Sequence, residues 1–78
     1  MYELFHSTND GGASARVRSL VVAHGLESKL RFRNVFYPEV SADLRARGGR
    51  KTPALWDGEK LFEGEEAVCA AIDLLAKR

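Results

Sequence analysis

The residues that could bind a ligand lie mainly in two short segments near the C-terminal half of the chain. Thr52 and Pro53 stand at the start of an expected strand, and Gly64, Glu65 and Glu66 stand at the expected start of a helix. Proline cannot donate a hydrogen bond within a sheet, and the first turn of a helix presents unpaired N–H groups. The two segments would therefore bring backbone donors and carboxylates to one edge of a sheet, which predicts a binding site there.

Thiol and metal chemistry have little support in this sequence. Cys69 is the only cysteine, so the chain can form no intramolecular disulfide and contains no Cys-x-x-Cys pair. A lone cysteine inside a helix is typical of a small buried apolar residue. His6 and His24 are far apart and have no neighbours at ligand spacing, so no metal site is expected.

Length and composition predict a single domain over residues 1–78 with a small core. The formal net charge of +1 gives no support to a nucleic-acid partner, and the locally basic stretch 45–51 is interpreted as solvated surface. The apolar runs are too short to cross a bilayer, and no basic and apolar signal segment opens the chain. We therefore expect no membrane contact and a cytoplasmic location.

The first half of the chain predicts a strand, a helix and a second strand. Residues 2–6 form a short apolar and aromatic run that ends in a turn-forming cluster. After Ser14, the expected N-cap, apolar residues recur at helical spacing, and Gly25 follows as the residue that ends the helix. The alternation over residues 29–36 predicts an edge strand that pairs in parallel with the first strand.

The second half predicts a weak helix, a hairpin and a strong helix. Pro38 is expected to end the second strand, and Ser41 is expected to cap a short helix that stops at Gly48. An Asp-Gly turn predicts a hairpin with strands near residues 54–56 and 60–62. The apolar residues of the last helix recur at the spacing of one helical face, at Val68, Ala71, Ile72 and Leu75.

This order of elements, with a proline opening the third strand, resembles the thioredoxin-like fold in its smallest form, as in glutaredoxins and the N-terminal domain of glutathione S-transferases. Three segments carry the resemblance and extend over essentially the whole chain: the Arg-Val-Arg helix with its Gly-Leu end (residues 15–26), Gly-Gly-Arg-Lys-Thr-Pro-Ala-Leu with Asp-Gly (48–58), and Glu-Gly-Glu-Glu-Ala-Val (63–68). The resemblance implies an α/β fold of the order βαβ-α-ββα, with a four-stranded mixed sheet flanked by three helices.

The resemblance also implies a ligand. In those families the peptide before a cis-proline pairs with the cysteinyl part of glutathione, and the N-terminus of the last helix holds the γ-glutamyl group. Carried over to this sequence, these contacts fall on Thr52, Pro53, Gly64, Glu65 and Glu66. Glutathione would then be a bound ligand, and no cofactor would be required.

The Cys-x-x-Cys of a glutaredoxin falls on residues 11–14, which read Gly-Gly-Ala-Ser, so dithiol chemistry is excluded. The resemblance therefore implies a non-redox module that binds glutathione or a related thiol or peptide. One alternative is a transferase-type enzyme, or a fragment of one, that activates glutathione through the hydroxyl of Ser7 or Ser14. Another is a protein-interaction module that docks a partner or a second copy through its edge strand or the Trp56 hairpin.

Overall fold

A four-stranded mixed sheet forms the centre of the structure, a computed structural model that describes residues 2–78. In chain order the elements are β1 (Tyr2–His6), α1 (Ala13–Ala23), a 3-10 turn (Glu27–Lys29), β2 (Leu30–Asn34), α2 (Pro38–Ala46), β3 (Ala54–Trp56), β4 (Leu61–Glu63) and α3 (Glu65–Ala76). Over these described residues, the predicted α/β class with a four-stranded mixed sheet and three α-helices is confirmed.

The strands lie in the order β2-β1-β3-β4. β1 and β2 are parallel, with Tyr2 opposite Leu30, whereas β3 runs antiparallel to both β1 and β4, with Leu4 opposite Leu55. The predicted parallel pair and the predicted position of β2 at an edge are therefore confirmed. Because β1 and β3 are antiparallel neighbours at the centre of the sheet, the loop after β1 and the segment before β3 lie at the same end of the sheet.

The core has two parts because successive residues of a strand point to opposite faces of the sheet. Leu4 points to the face covered by α1 and α3, where it packs with apolar residues such as Val17 and Ile72. Phe5 points to the opposite face and packs with Val40 and other residues near α2. Both Leu4 and Phe5 are completely buried, so β1 anchors the two halves of the core.

The sequence predicts the C-terminal end of α1 correctly but not its N-terminal start. The expectation that Ser14 is the N-cap is wrong, since α1 begins at Ala13 after Gly12 and Ser14 is completely buried. Asp10 supplies the capping contact instead, because its Oδ1 accepts the N–H of Ser14 at 3.1 Å. Gly25 ends the helix as predicted: its φ is 65°, and the N–H of Leu26 reaches back to the last turn of the helix.

Three other boundaries differ from the predictions. β2 ends at Asn34, before the predicted residue 36, and Pro38 is the first residue of α2 rather than the end of a strand. Proline fits this position because its φ suits a helix and the first helical N–H needs no partner. Ser41 therefore lies inside α2, where its hydroxyl accepts a hydrogen bond from Arg45 at 2.9 Å.

β4 begins one residue later than predicted. Oδ1 of Asp57 accepts the backbone N–H groups of Glu59 at 2.8 Å and Lys60 at 2.9 Å, which extends the turn through Lys60. Gly58 occupies the turn with a φ of 103°, a conformation that side chains with a Cβ rarely adopt. The hairpin thus begins at the predicted Asp-Gly pair but has a longer turn.

Candidate functional site

The two segments expected to form a binding site are neighbours in the structure. The Thr52–Pro53 peptide bond is cis, as the resemblance implies, and the ring of Pro53 is fully buried while Thr52 is half-buried. The carbonyl of Pro53 accepts the N–H of Gly64 at 2.9 Å. This hydrogen bond joins the start of β3 to the start of α3. We call the surface formed by Lys51, Thr52 and residues 64–66 the proline edge.

The backbone N–H and carbonyl of Thr52 are available to a ligand at this edge. Neither its N–H nor its carbonyl makes a hydrogen bond to another group within residues 2–78. Its side chain, in contrast, is held in place, because Oγ1 donates to Oδ2 of Asp10 at 2.9 Å. A residue with a fixed side chain and a free backbone donor and acceptor can pair with an extended ligand, as a strand pairs with its neighbour.

Asp10 organises the loop that precedes α1. Its carboxylate accepts the hydroxyl groups of Ser14 and Thr52 as well as the N–H of Ser14. The N–H of Ser7 in turn donates to Oγ of Ser14 at 3.1 Å. Burial alone would raise the pKa of Asp10, but the hydrogen bonds from Ser14 and Thr52 lower it below its ordinary value. An ionised Asp10 therefore ties the loop to the proline edge.

Sequence reasoning missed Asp10 as a site residue. It lies next to residues 11–14, the stretch where the resemblance places a Cys-x-x-Cys pair. The sequence feature that could have identified Asp10 is its position four residues before Ser14, which suits a carboxylate that caps the first turn of a helix. The contact with Thr52 had no local signal, because the two residues lie 42 positions apart.

The two serines proposed as hydroxyl donors differ in whether their hydroxyl proton is available to a ligand. Ser14 has one hydroxyl proton, which it donates to Asp10, so it has none left for a ligand thiolate. Ser7 is half-buried, and its hydroxyl oxygen accepts the N–H of Asn9 at 3.0 Å. The hydroxyl of Ser7 donates to no group within the described residues. Of the two candidates, only Ser7 retains a proton to offer.

The first turn of α3 carries two carboxylates with different surroundings. Glu65 forms a bidentate ion pair with Arg16 of α1, with Nε–Oε2 at 2.6 Å and Nη2–Oε1 at 2.9 Å. The hydrogen bond from Arg16 lowers the pKa of Glu65. Glu66 is exposed and has no cation within 4.0 Å in the described part of the chain. Glu65 therefore links α1 to α3, whereas Glu66 is available to an ammonium group.

The start of α3 lies beside an open groove. No side chain of the described residues caps this helix, and Gly64 precedes it with a φ of 92°. A groove of about 500 Å³ lies against this turn and is lined by residues that include Lys51, Glu66 and Ala70. Anions bind favourably at such a helix terminus because the N–H groups and the helix dipole point toward them.

Lys51 also lines a second groove, of about 420 Å³, together with Thr52 and residues of α2 such as Leu44. Oε1 of Glu63 holds this segment in place by accepting the backbone N–H groups of Arg50 at 2.8 Å and Lys51 at 3.3 Å. The ammonium of Lys51 has no carboxylate within 4.0 Å among residues 2–78. Lys51 is thus a free cation on a fixed backbone between two grooves.

Cys69 lies one helical turn beyond Glu65 and is half-buried. Burial, together with the charges of Glu65 and Asp73, raises the pKa of its thiol. A thiol with a raised pKa is a poor nucleophile at neutral pH because the thiolate is the reactive form. The environment of Cys69 therefore favours a structural role.

Residues 2–78 contain no cluster of three metal-ligating side chains and no helix with the length and apolar character needed to cross a membrane. Comparison of the chain with protein-family models, with curated proteins and with solved structures found no match.

Proposed function

We propose that this chain is a thioredoxin-like domain of the glutaredoxin and glutathione S-transferase N-terminal type, and that it binds glutathione or a related γ-glutamyl peptide without redox chemistry. The mixed sheet with helices on both faces supports this assignment, as does the contact between the start of β3 and the start of α3. The observation that carries the proposal is that, within residues 2–78, the backbone N–H and carbonyl of Thr52 have no partner and the neighbouring N-terminus of α3 has no side-chain cap.

The backbone, carboxylates and ammonium of glutathione have complementary groups at the proline edge. The backbone of Thr52 pairs with the cysteinyl residue, and the N–H groups at the start of α3 receive the γ-glutamyl carboxylate. Glu66 pairs with the ligand ammonium, since Glu65 is already bound to Arg16. Lys51 attracts the ligand carboxylates from its position between the grooves. The loop of residues 11–14 offers no thiol, so the ligand is bound and not oxidised or reduced.

A titration of the ¹⁵N-labelled chain with reduced glutathione, followed by amide chemical shifts, tests this proposal. We expect concentration-dependent shifts at Thr52 and at residues 64–67 with millimolar ligand, which corresponds to a binding free energy of about −4 kcal/mol. Cysteinylglycine, which lacks the γ-glutamyl group, should shift Thr52 but leave the start of α3 unchanged.

Two lysine variants make the test specific. Lys51→Glu should weaken glutathione binding about tenfold, because it replaces attraction by repulsion at the ligand carboxylates. Lys29→Glu is the matched control, since Lys29 is also exposed but lies just before β2, at the opposite end of the sheet from the start of β3. Unchanged amide shifts at the proline edge with millimolar glutathione would refute the binding function.

A further inference from the structure

The outer edge of β2 presents backbone groups that have no partner within residues 2–78. The N–H of Val35 donates to the carbonyl of His6 at 3.0 Å. In a parallel pair each residue directs its N–H and carbonyl to the same side, and the side alternates along the strand. Arg31 and Arg33 therefore direct these groups toward β1, whereas Leu30 and Phe32 direct theirs away from the sheet. A further strand could pair with this edge, as in β-strand addition.

An apolar groove lies beside the same edge, between β2 and α1. It has a volume of about 590 Å³ and is lined by His6, Ala15, Arg18, Ser19, Val22 and Phe32. Val22 is 57% exposed and Phe32 is 38% exposed, so two large apolar side chains of the groove lining are open to solvent. A side chain of an added strand opposite Phe32 would point into this groove, because paired residues direct their side chains to the same face.

The basic residues at this edge favour an acidic partner over a second copy of the chain. Lys29, Arg31 and Arg18 have no carboxylate within 4.0 Å among residues 2–78. Arg33 differs, since it is bound to Glu3 and Asp43 and its side chain is only 10% exposed. Two copies paired through β2 would bring Lys29 and Arg31 of both chains together, which costs free energy. An acidic partner would instead gain complementary contacts.

We propose that the outer edge of β2 docks an extended acidic segment of a partner protein, which adds to the sheet as a further strand. The segment alternates apolar and acidic residues. An apolar side chain opposite Phe32 packs against Val22 in the groove, and the flanking acidic side chains lie on the opposite face near Arg31. This surface is separate from the proline edge, because β1 lies between β2 and β3.

Fluorescence anisotropy with two labelled peptides tests the docking of an acidic strand. A short fluorescein-labelled peptide that alternates glutamate with valine should bind the full chain at least about tenfold more tightly than a peptide that alternates lysine with valine. Amide shifts of the ¹⁵N-labelled chain should change at Leu30, Phe32 and Val22 on addition of the acidic peptide. Equal affinity for the two peptides, or shifts confined to the proline edge, would overturn the proposal.

Charge reversal of one exposed arginine supplies the matched comparison. Arg31→Glu should weaken binding of the acidic peptide about tenfold, whereas Arg50→Glu, at another exposed arginine in the segment before β3, should leave it unchanged. Val22→Glu places a carboxylate in the groove and should also abolish binding of the acidic peptide. Amide spectra of each variant show whether it is folded.

A sedimentation measurement that finds a dimer, with β2 shifts that depend on protein concentration, would assign the edge to a second copy and refute the proposal.

Discussion

Replacement of Ser14 by alanine should destabilise the chain because it removes the centre of the hydrogen-bond network at the candidate site. Ser14 is completely buried, donates its hydroxyl proton to Asp10 and accepts the N–H of Ser7. In Ser14→Ala, the N–H of Ser7 loses its acceptor and the carboxylate of Asp10 loses one of its donors. The loop before α1 then depends on the remaining contacts of Asp10 with the N–H of Ser14 and with Thr52.

The expected loss is about 3 kcal/mol in the free energy of unfolding. A hydrogen bond to a charged group contributes about 1.5–3 kcal/mol, and a partly buried N–H left without an acceptor costs about 1 kcal/mol or more. Ser19→Ala is the matched control, because Ser19 is exposed on the same helix and makes no side-chain hydrogen bond to a described residue. Both substitutions remove one serine hydroxyl from α1, so the difference between their effects on stability reports the hydrogen-bond network of Ser14.

Urea unfolding followed by the fluorescence of Trp56, the only tryptophan, measures this loss. The result also depends on pH. The folded-state pKa of Asp10 is lowered, so the stability from its ionised form is fully present above the unfolded value of 3.8 and is lost as the pH falls through the folded value. The difference between Ser14→Ala and Ser19→Ala should therefore shrink in strong acid.

Two outcomes would refute this reasoning. If Ser14→Ala and Ser19→Ala have the same free energy of unfolding at neutral pH, the hydroxyl of Ser14 contributes nothing to stability. If their difference persists unchanged below the folded-state pKa of Asp10, the stabilisation does not come from the ionised carboxylate.

Two further predictions concern the core and the pH dependence. Gly49→Ala should cost about 1–3 kcal/mol in the free energy of unfolding, because its Cβ would lie 2.4 Å from Leu44 Cδ1 and 2.7 Å from Leu61 Cδ2; a loss no smaller in the background of Leu44→Ala would argue against this clash. His6 has a lowered pKa because of burial and the charge of Arg18, with Asp10 acting in the opposite direction. The unfolded chain therefore takes up the proton first, and stability should fall as the pH drops below 6.5 toward the folded-state pKa. Urea midpoints at about pH 7.5 and about pH 5.5 should show a smaller drop for His6→Gln than for the unchanged chain, and equal drops would contradict the assignment to His6.

Local sequence patterns predict the elements that carry strong and unambiguous signals. In α3, the buried residues Val68, Ile72 and Leu75 recur at helical spacing and identify both the helix and its inner face. Gly25 marks the end of α1 because the residue there needs a positive φ. These features depend only on neighbouring residues along the chain.

Some residues suit two local structures equally well. At these residues the prediction from sequence is wrong, because tertiary packing decides which structure forms. Pro38 suits the end of a strand and the first position of a helix equally well. The structure selects the helix, since a start at Pro38 places Val40 and Leu44 in the core cluster beneath Phe5. Ser14 likewise suits an N-cap, but its hydroxyl is directed inward to Asp10 and to the N–H of Ser7.

The sequence by itself determined the composition of the candidate site: a proline after a threonine, a glycine before two glutamates, and a loop without a thiol. The tertiary structure alone decided which of these groups are free. It pairs Glu65 with Arg16, 49 residues away, and directs the hydroxyl of Thr52 to Asp10, 42 residues away. It also leaves the backbone of Thr52 without a hydrogen-bond partner and the carboxylate of Glu66 without a cation partner in the described part of the chain. Such long-range pairings depend on how the elements pack together, and no local pattern in the sequence encodes them.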